Sequence, residues 1–174
     1  RLLTSFSDSG HPFLFLRGSG ANFLSIGNVV WASKVNIESG NSLGSSKPLP
    51  ISRRYFLGGR ESLRGFQRGE VGPIGIGGTV AGGDRSVVFT NEIDFEISNP
   101  LHGLLCVDVG KVWLKDAGQF NRNPFTKDKF RVTPGIGVRL ITPLGPLGVE
   151  YGVVVDRQPN ESFGQLYFGV GGDI

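Results

Sequence analysis

The twenty residues from Arg54 to Pro73, RYFLGGRESLRGFQRGEVGP, decide how this chain is read, and the tetrapeptide Leu63-Arg64-Gly65-Phe66 within them carries most of the weight. The stretch sits in a long glycine-rich connection between two segments that alternate like β-strands. A connection of that size with no period of its own is usually either disordered or functional. Phe56-Leu57-Gly58-Gly59 ahead of the tetrapeptide and Gly69-Glu70-Val71-Gly72-Pro73 behind it supply apolar anchors and bends, and a disordered linker needs neither. The expectation is a structured loop that presents one cation. Gly65 lets the backbone turn sharply beside Arg64, and Phe66 pins the tip by burying its ring.

On both sides of the loop the residues alternate between apolar and polar. Upstream, Val29, Trp31, Val35 and Ile37 hold one parity, and Asn28, Ala32, Lys34, Asn36 and Glu38 the other. Downstream, Val87, Phe89, Ile93, Phe95 and Ile97 alternate with Val88, Thr90, Glu92, Asp94 and Glu96. That is the period of a strand with one apolar face. Three carboxylates in a row on the second face, Glu92, Asp94 and Glu96, are out of place beside a dry core, because each buried charge needs a partner. They suit a wet or arginine-lined interior.

The same alternation continues to the end of the chain. Leu105, Val107, Val109 and Trp113 oppose Asp108, Gly110 and Val112; Val132, Pro134, Ile136, Val138 and Leu140 oppose Arg131, Thr133, Gly135, Gly137 and Arg139. Leu147, Val149, Tyr151, Val153 and Val155 oppose Gly148, Glu150, Gly152 and Asp156; Leu166, Phe168, Val170 and Ile174 oppose Gln165, Tyr167, Gly169 and Asp173. Pro134 within its run predicts a strand that starts late. Arg1 to Gly10 is read as a loop, His11 to Ser25 as a strand with no assignable inward face, Ser39 to Arg53 as the start of the long loop, and Lys115 to Lys129 as a polar loop. The total is about seven strands of about ten residues in up-and-down order, and ten tilted residues cover about 25 Å, the height of a lipid-facing band. Glycines repeated on the polar parity suit a curved wall crossed by an internal loop. Periodicity alone leaves a membrane barrel and a soluble β-domain level.

Composition narrows the class. There are 28 glycines in 174 residues, well above the average of about 7%. Together with 13 Phe and no Met this favours β structure with tight turns over helices. No run of about 18 apolar residues is present, and a barrel leaves none because only alternate residues face lipid. The net charge of +3 comes from 18 basic and 15 acidic residues that are interspersed, which argues against nucleic acid as a partner. Cys106 is the single cysteine, so no internal disulfide forms.

Leu57-Gly58-Gly59, a short spacer and Leu63-Arg64-Gly65-Phe66 resemble the signature loop of the BamA-like family of outer-membrane β-barrel assembly factors. The resemblance runs from about Phe15 to the C-terminus. Cys106-Val107-Asp108-Val109-Gly110-Lys111-Val112-Trp113 is similar to the family strand with an inward Asp. Gly135-Ile136-Gly137-Val138-Arg139 followed by Thr142-Pro143-Leu144-Gly145-Pro146-Leu147 is similar to its penultimate hairpin. The resemblance implies an all-β, transmembrane, antiparallel up-and-down barrel, of which residues 1–174 form the C-terminal part, with the N-terminal strands and periplasmic repeat domains outside this chain. It implies that Arg64, Gly65 and Phe66 form a lumenal latch, with Arg64 paired to Asp108 and one Glu of the preceding strand. Glu92 and Glu96 share the required parity, and Glu96 is preferred by its distance from the Pro100 turn. A guanidinium holds a carboxylate through two parallel donors, which sets one register.

The implied activity is non-covalent assembly or insertion of outer-membrane proteins, with no enzyme chemistry, cofactor or metal. The edge at Gln165, Leu166, Tyr167, Phe168, Gly169 and Val170 forms a closing seam that templates client strands. The implied partners are outer-membrane lipid, an unfolded barrel client or secreted polypeptide, and accessory assembly lipoproteins, in a bacterial outer membrane or an organellar one of bacterial origin. Other readings are a polypeptide secretion pore of the two-partner type, a passive porin-like channel and a soluble β-rich binding domain. The ending Gly171-Gly172-Asp173-Ile174 departs from the aromatic-terminated strands usual in bacterial outer-membrane proteins.

Other chemistry-bearing residues read as structural. His11 and His102 lack a second ligand at metal spacing. Ser62 has no histidine placed for a triad, and Cys106 is a small filler on the inward parity. Gly75 to Gly83 lacks the Gly-Lys-Ser/Thr ending of a phosphate loop. Trp31, Trp113 and Tyr151 are expected at a membrane interface.

Overall fold

A computed structural model describes residues 3–8, 11–43, 49–75, 77–114, 129–143, 145–159 and 161–170. Its strands are β1 (Leu3–Asp8), β2 (His11–Ile26), β3 (Val29–Ser42), β4 (Arg85–Ser98), β5 (Leu101–Trp113), β6 (Arg131–Thr142), β7 (Gly145–Val153) and β8 (Gly164–Val170). Each pairs antiparallel with the next, so one eight-stranded sheet runs in the order β1 to β8. β1 and β8 are not paired with each other, and the sheet is open.

The architecture is the up-and-down meander that the alternation predicts, with three local differences. β1 occupies part of the segment read as a loop, because pairing from Leu3↔Leu16 to Asp8↔His11 satisfies its backbone where no side-chain period announces a strand. β3 runs on through Ser39 to Ser42, since β2 supplies partners that far. β6 does not wait until after Pro134. The β5 ladder runs through Val107↔Pro134, whereas the β7 ladder begins only at Gly135↔Gly152. Pro134 therefore lies where pairing with β7 has run out, the position at which a missing amide does least harm. The chain end at Ile174, the segment 115–128 and Leu144 lie outside the described residues.

Burial is inverted relative to a water-soluble sandwich. Glu92, Asp108, Arg131, Arg139 and Glu150 are buried, while Trp31 (50%), Ile136 (61%), Phe168 (76%) and Val170 (76%) are widely exposed. The apolar parity of every strand from β3 to β8 faces outward and the charged parity faces in. Leaving so much large apolar surface uncovered is unfavourable in water and favourable in hydrocarbon. β2, at 16 residues, and β3, at 14, reach beyond such a band. Lys111 points outward on β5 with its ammonium 5.7 Å from the Trp113 ring and 5.6 Å from the Phe130 ring, an aromatic setting that suits a membrane–water boundary.

The connection between β3 and β4 folds back over the inner face. It carries its own bridges, Tyr55↔Gly83, Leu57↔Val71, Gly59↔Leu63 and Ile74↔Val80. The described residues of the Gly75 to Gly83 run are folded as well, with the Gly75 amide donating to the Thr79 carbonyl at 2.8 Å. Leu57, Leu63, Phe66 and Val71 of the loop pack with Val88, Val112 and Val154 of the wall in the main apolar cluster. Glycines on the inner wall make room for this. A Cβ on Gly152 of β7 would lie 2.3 Å from the Arg64 carbonyl carbon, and one on Gly110 of β5 would lie 2.9 Å from Leu57 Cδ1.

Gly152→Ala is accordingly expected to push the loop off β7 and lower stability by about 1–3 kcal/mol, the usual cost of overpacking. Gly18→Ala on β2, where a Cβ meets nothing within 4 Å, is the matched control and is expected to change little. Thermal unfolding in detergent, followed by the β-sheet circular dichroism signal, checks both. Equal midpoints for Gly152→Ala and the unmodified protein would mean that the loop does not rest on that wall.

Candidate functional site

The register places the site. On β4, Thr90 stands opposite Asp108 and Glu92 opposite Cys106, so Glu92 and Asp108 are diagonal neighbours on the inner face. Asp108 in turn stands opposite Thr133 on β6, and Gly137 of β6 opposite Glu150 of β7. Read across the ladders, Asp108 is level with Thr90 and Glu150 with Asp94, with Glu92 between them, so the three carboxylates step diagonally across the inner face and the loop lowers Arg64 among them.

Arg64 is 6% exposed. Its Nη2 donates to Glu92 Oε2 at 2.7 Å, and its backbone amide donates to Asp108 Oδ2 at 3.1 Å. Nε lies 3.4 Å from Glu150 Oε2 and 3.8 Å from Asp108 Oδ2, while donating to the carbonyl of Arg60 at 3.3 Å. The guanidinium does not take one carboxylate through two parallel donors, as the sequence suggests. It divides its donors between Glu92 and its own loop, and the tie to Asp108 is made chiefly by the main chain. Burial by itself pulls the Arg64 pKa down, but Asp108, with Glu92 and Glu150 behind it, more than offsets this, and the pKa is raised above the ordinary arginine value. Arg64 is a permanent cation.

Glu96 is not the partner. It is exposed and stands opposite His102, at the turn end of the hairpin. Four residues along a strand at about 3.3 Å each put it about 13 Å from the level of Glu92. Parity admits both glutamates, and only the loop's height chooses between them.

Gly65 and Phe66 complete the tip. Gly65 is absent from the glycines with positive φ, so its use is not a left-handed turn. It is needed for space, since a Cβ there would lie 2.7 Å from Thr133 Cγ2 and 2.9 Å from the Val153 carbonyl. Phe66 is fully buried, with the Arg131 guanidinium 4.6 Å from its ring centroid. Arg131 is itself held by Glu161 (Nη2–Oε2 2.5 Å) and Asp156 (Nε–Oδ2 3.0 Å), beyond the end of β7. Ser62 is structural, its Oγ accepting from the Gly58 amide at 2.9 Å.

Nothing in the sequence alone joins Glu150, Arg139 or Arg60 to this set. Arg139 Nη2 lies 3.0 Å from Glu92 Oε1 and 3.5 Å from Glu150 Oε1, and its Nη1 lies 3.2 Å from Asp94 Oδ2. Arg60 Nη2 lies 2.8 Å from Glu150 Oε1. Asp94 also meets His102 Nδ1 at 2.6 Å. Inward parity was the available signal for Glu150 and Arg139, but parity gives no distance across strands. Among the described residues no group of His, Cys, Asp and Glu is placed to hold a metal ion. The arrangement holds a loop against the inner wall by charge. The segment Gln165 to Val170, expected as the closing edge, forms most of β8, with Tyr167 and Gly169 on the face toward the loop.

Glu92→Gln leaves two arginines short of a carboxylate and is expected to destabilise the loop by about 1–3 kcal/mol. This is less than the 3–5 kcal/mol of breaking an isolated buried pair, because Asp94, Asp108 and Glu150 remain. Glu96→Gln is expected to be silent. Limited proteolysis within 54–84 reads the difference, and equal cleavage rates for the two variants would refute the pairing.

The Omp85 superfamily domain matches residues 4–174. The chain is 29% identical over 142 residues to the chloroplastic outer envelope protein 80 of Arabidopsis thaliana, covering 78% of this chain and 16% of that protein. It is 23% identical over 156 residues to the outer membrane protein assembly factor BamA of Neisseria meningitidis serogroup B, covering 74% of this chain and 19% of that one. The crystal structure of BamA from Haemophilus ducreyi lacking POTRA domains 1–3 superposes with a TM-score of 0.72 at 26% identity, over 91% of this chain and 34% of that one. CdiB from Acinetobacter baumannii shares the fold, with a TM-score of 0.58 at 18% identity, over 90% of this chain and 26% of that one. The chain spans less than a fifth of the length of these curated relatives. Its meander, its inward charges and its matched length agree: the chain belongs to the Omp85 superfamily.

Proposed function

We propose that this chain is the loop-bearing, seam-forming part of an outer-membrane barrel that assembles other β-barrel proteins into the membrane without covalent chemistry. The observation that carries the reading is the buried Arg64, tied by a long loop to Glu92 and Asp108 on the inner wall of an outward-apolar sheet. One relative bears the name of outer membrane protein assembly factor and another that of an outer envelope protein, which supports a bacterial outer membrane or an organellar envelope. In this reading Arg64, Gly65 and Phe66 hold the loop in one register against Asp108 and Glu92. β8 offers its backbone edge to a strand of an unfolded client, which adds by β-augmentation. Lipid supports the apolar outer face, and accessory lipoproteins dock on parts of the full-length protein outside this chain. No cofactor is required.

A second reading, passage of a secreted polypeptide, is favoured by one feature. A cavity of about 930 Å³ lies between the loop and the inner wall of β2 to β4, with Arg17, Lys34, Glu38, Arg60 and Arg68 among its lining residues. In that reading the loop is a plug. A passive porin is distinguished by steady conductance in planar bilayers.

Arg64→Ala in the full-length protein is expected to cut client insertion into liposomes by at least about tenfold, the effect of about 1.4 kcal/mol on a rate. Barrel stability is expected to fall less, because the strand ladders do not involve Arg64, and Arg139 and Arg60 still meet Glu92 and Glu150 when it is removed. Full insertion activity in that variant would end the latch reading. Polypeptide passage without insertion would favour the secretion pore.

A further inference from the structure

We propose that the loop tip is a clasp on β8, with Tyr167 and Arg60 as positioning residues that hold this strand in place until the loop lifts. The inference rests on the reading above, in which β8 offers its edge to a client strand.

β8 is seven residues long and, among the described residues, is hydrogen-bonded to β7 alone, from Leu147↔Val170 to Val153↔Gly164. Its outward side chains, Leu166, Phe168 and Val170, are exposed among the described residues. Inward it presents Gln165, Tyr167 and Gly169. Gln165 bonds locally, its Nε2 donating to Ser162 Oγ at 3.1 Å. The other two meet the loop. The Tyr167 hydroxyl donates to the Phe66 carbonyl at 2.5 Å, across 101 residues of sequence. Gly169 passes under Arg60, where a Cβ would lie 2.5 Å from the guanidinium carbon and from Nη1. Arg60 is anchored to Glu150 on β7, so one guanidinium bears on both strands of the β7–β8 pair.

These two contacts come from residues on either side of Arg64 in the loop. Phe66 and Arg60 keep their height over β8 only while Arg64 is seated on Glu92 and Asp108, on the strands β4 and β5 at the other side of the loop. Lifting Arg64 withdraws the Phe66 carbonyl and the Arg60 guanidinium together, leaving β8 with a single ladder. A strand paired on one edge is a low-stability unit, and its free edge is a template for another strand. The coupling is mechanical, passing through a loop that is either seated or not.

The test is hydrogen exchange by mass spectrometry on the full-length protein in lipid nanodiscs, with client insertion measured on the same variants. Tyr167→Phe keeps the ring and deletes one hydrogen bond. It is expected to speed exchange of amides 164–170 by about three- to tenfold, the ratio a net hydrogen bond is worth, and to leave 85–113 unchanged. Gly169→Ala, which displaces Arg60, and Arg64→Ala, which unseats the loop, are expected to act in the same direction on 164–170. Unchanged exchange there in both Tyr167→Phe and Gly169→Ala overturns the clasp. A rise shared evenly with 85–113 also overturns it, because that is general loss of barrel stability. Faster exchange in β8 with unaltered insertion keeps the clasp and refutes client templating. Unaltered exchange with Arg64-dependent insertion does the reverse.

Discussion

A guanidinium that stays charged at every physiological pH cannot be taken out of water without carboxylates to receive it, and in this chain Arg64 is buried. The rest of the structure follows from meeting that demand. The acceptors must lie on the inner face of the sheet, close enough together for one guanidinium, at a level the loop can reach. Glu92 on β4, Asp108 on β5 and Glu150 on β7 meet those conditions. The excursion between β3 and β4 is long because it must return from the rim to that level. Its own bridges and apolar packing then fix the approach, so that the loop arrives as a folded object.

Space is the second condition. A loop laid against a wall of side chains would stand several ångströms off, and the ion pairs would not form. The wall is therefore bare where the loop touches it, at Gly110, Gly152 and Gly169. On the loop side, Gly65 answers Gly152, and the two backbones approach with no Cβ between them. The high glycine content and the buried charge are thus parts of one arrangement. Such a polar interior contributes little net stability compared with an apolar one of equal volume, but it admits one seating of the loop and penalises others.

The outer face obeys the opposite rule from the same alternating pattern. Trp31, Ile136, Phe168 and Val170 are left uncovered because hydrocarbon, not protein, completes their packing. One strand period therefore serves two solvents. The inner parity is matched by charge and the outer parity by lipid, which makes the sheet legible as a membrane wall although no segment is continuously apolar.

Much of this was written in the residue order. Alternation gave the strands from β3 onward, the turn residues separated them, and the family resemblance carried by Leu63-Arg64-Gly65-Phe66 implied the loop and Asp108 as its inward acid. Parity has period two and no sense of height, so it left Glu92 and Glu96 equivalent, and it gave no reason to join Glu150, Arg139 and Arg60 to Arg64. Nor did it show that Tyr167 reaches back to the Phe66 carbonyl. Those choices depend on strand register and on how deep the loop sits, which are set by backbone ladders and by packing between residues far apart in sequence. Local periodicity determines which face a side chain occupies; only the folded sheet decides which charges on that face come within a few ångströms of one another, because ion pairing falls off with distance in space and takes no account of distance along the chain.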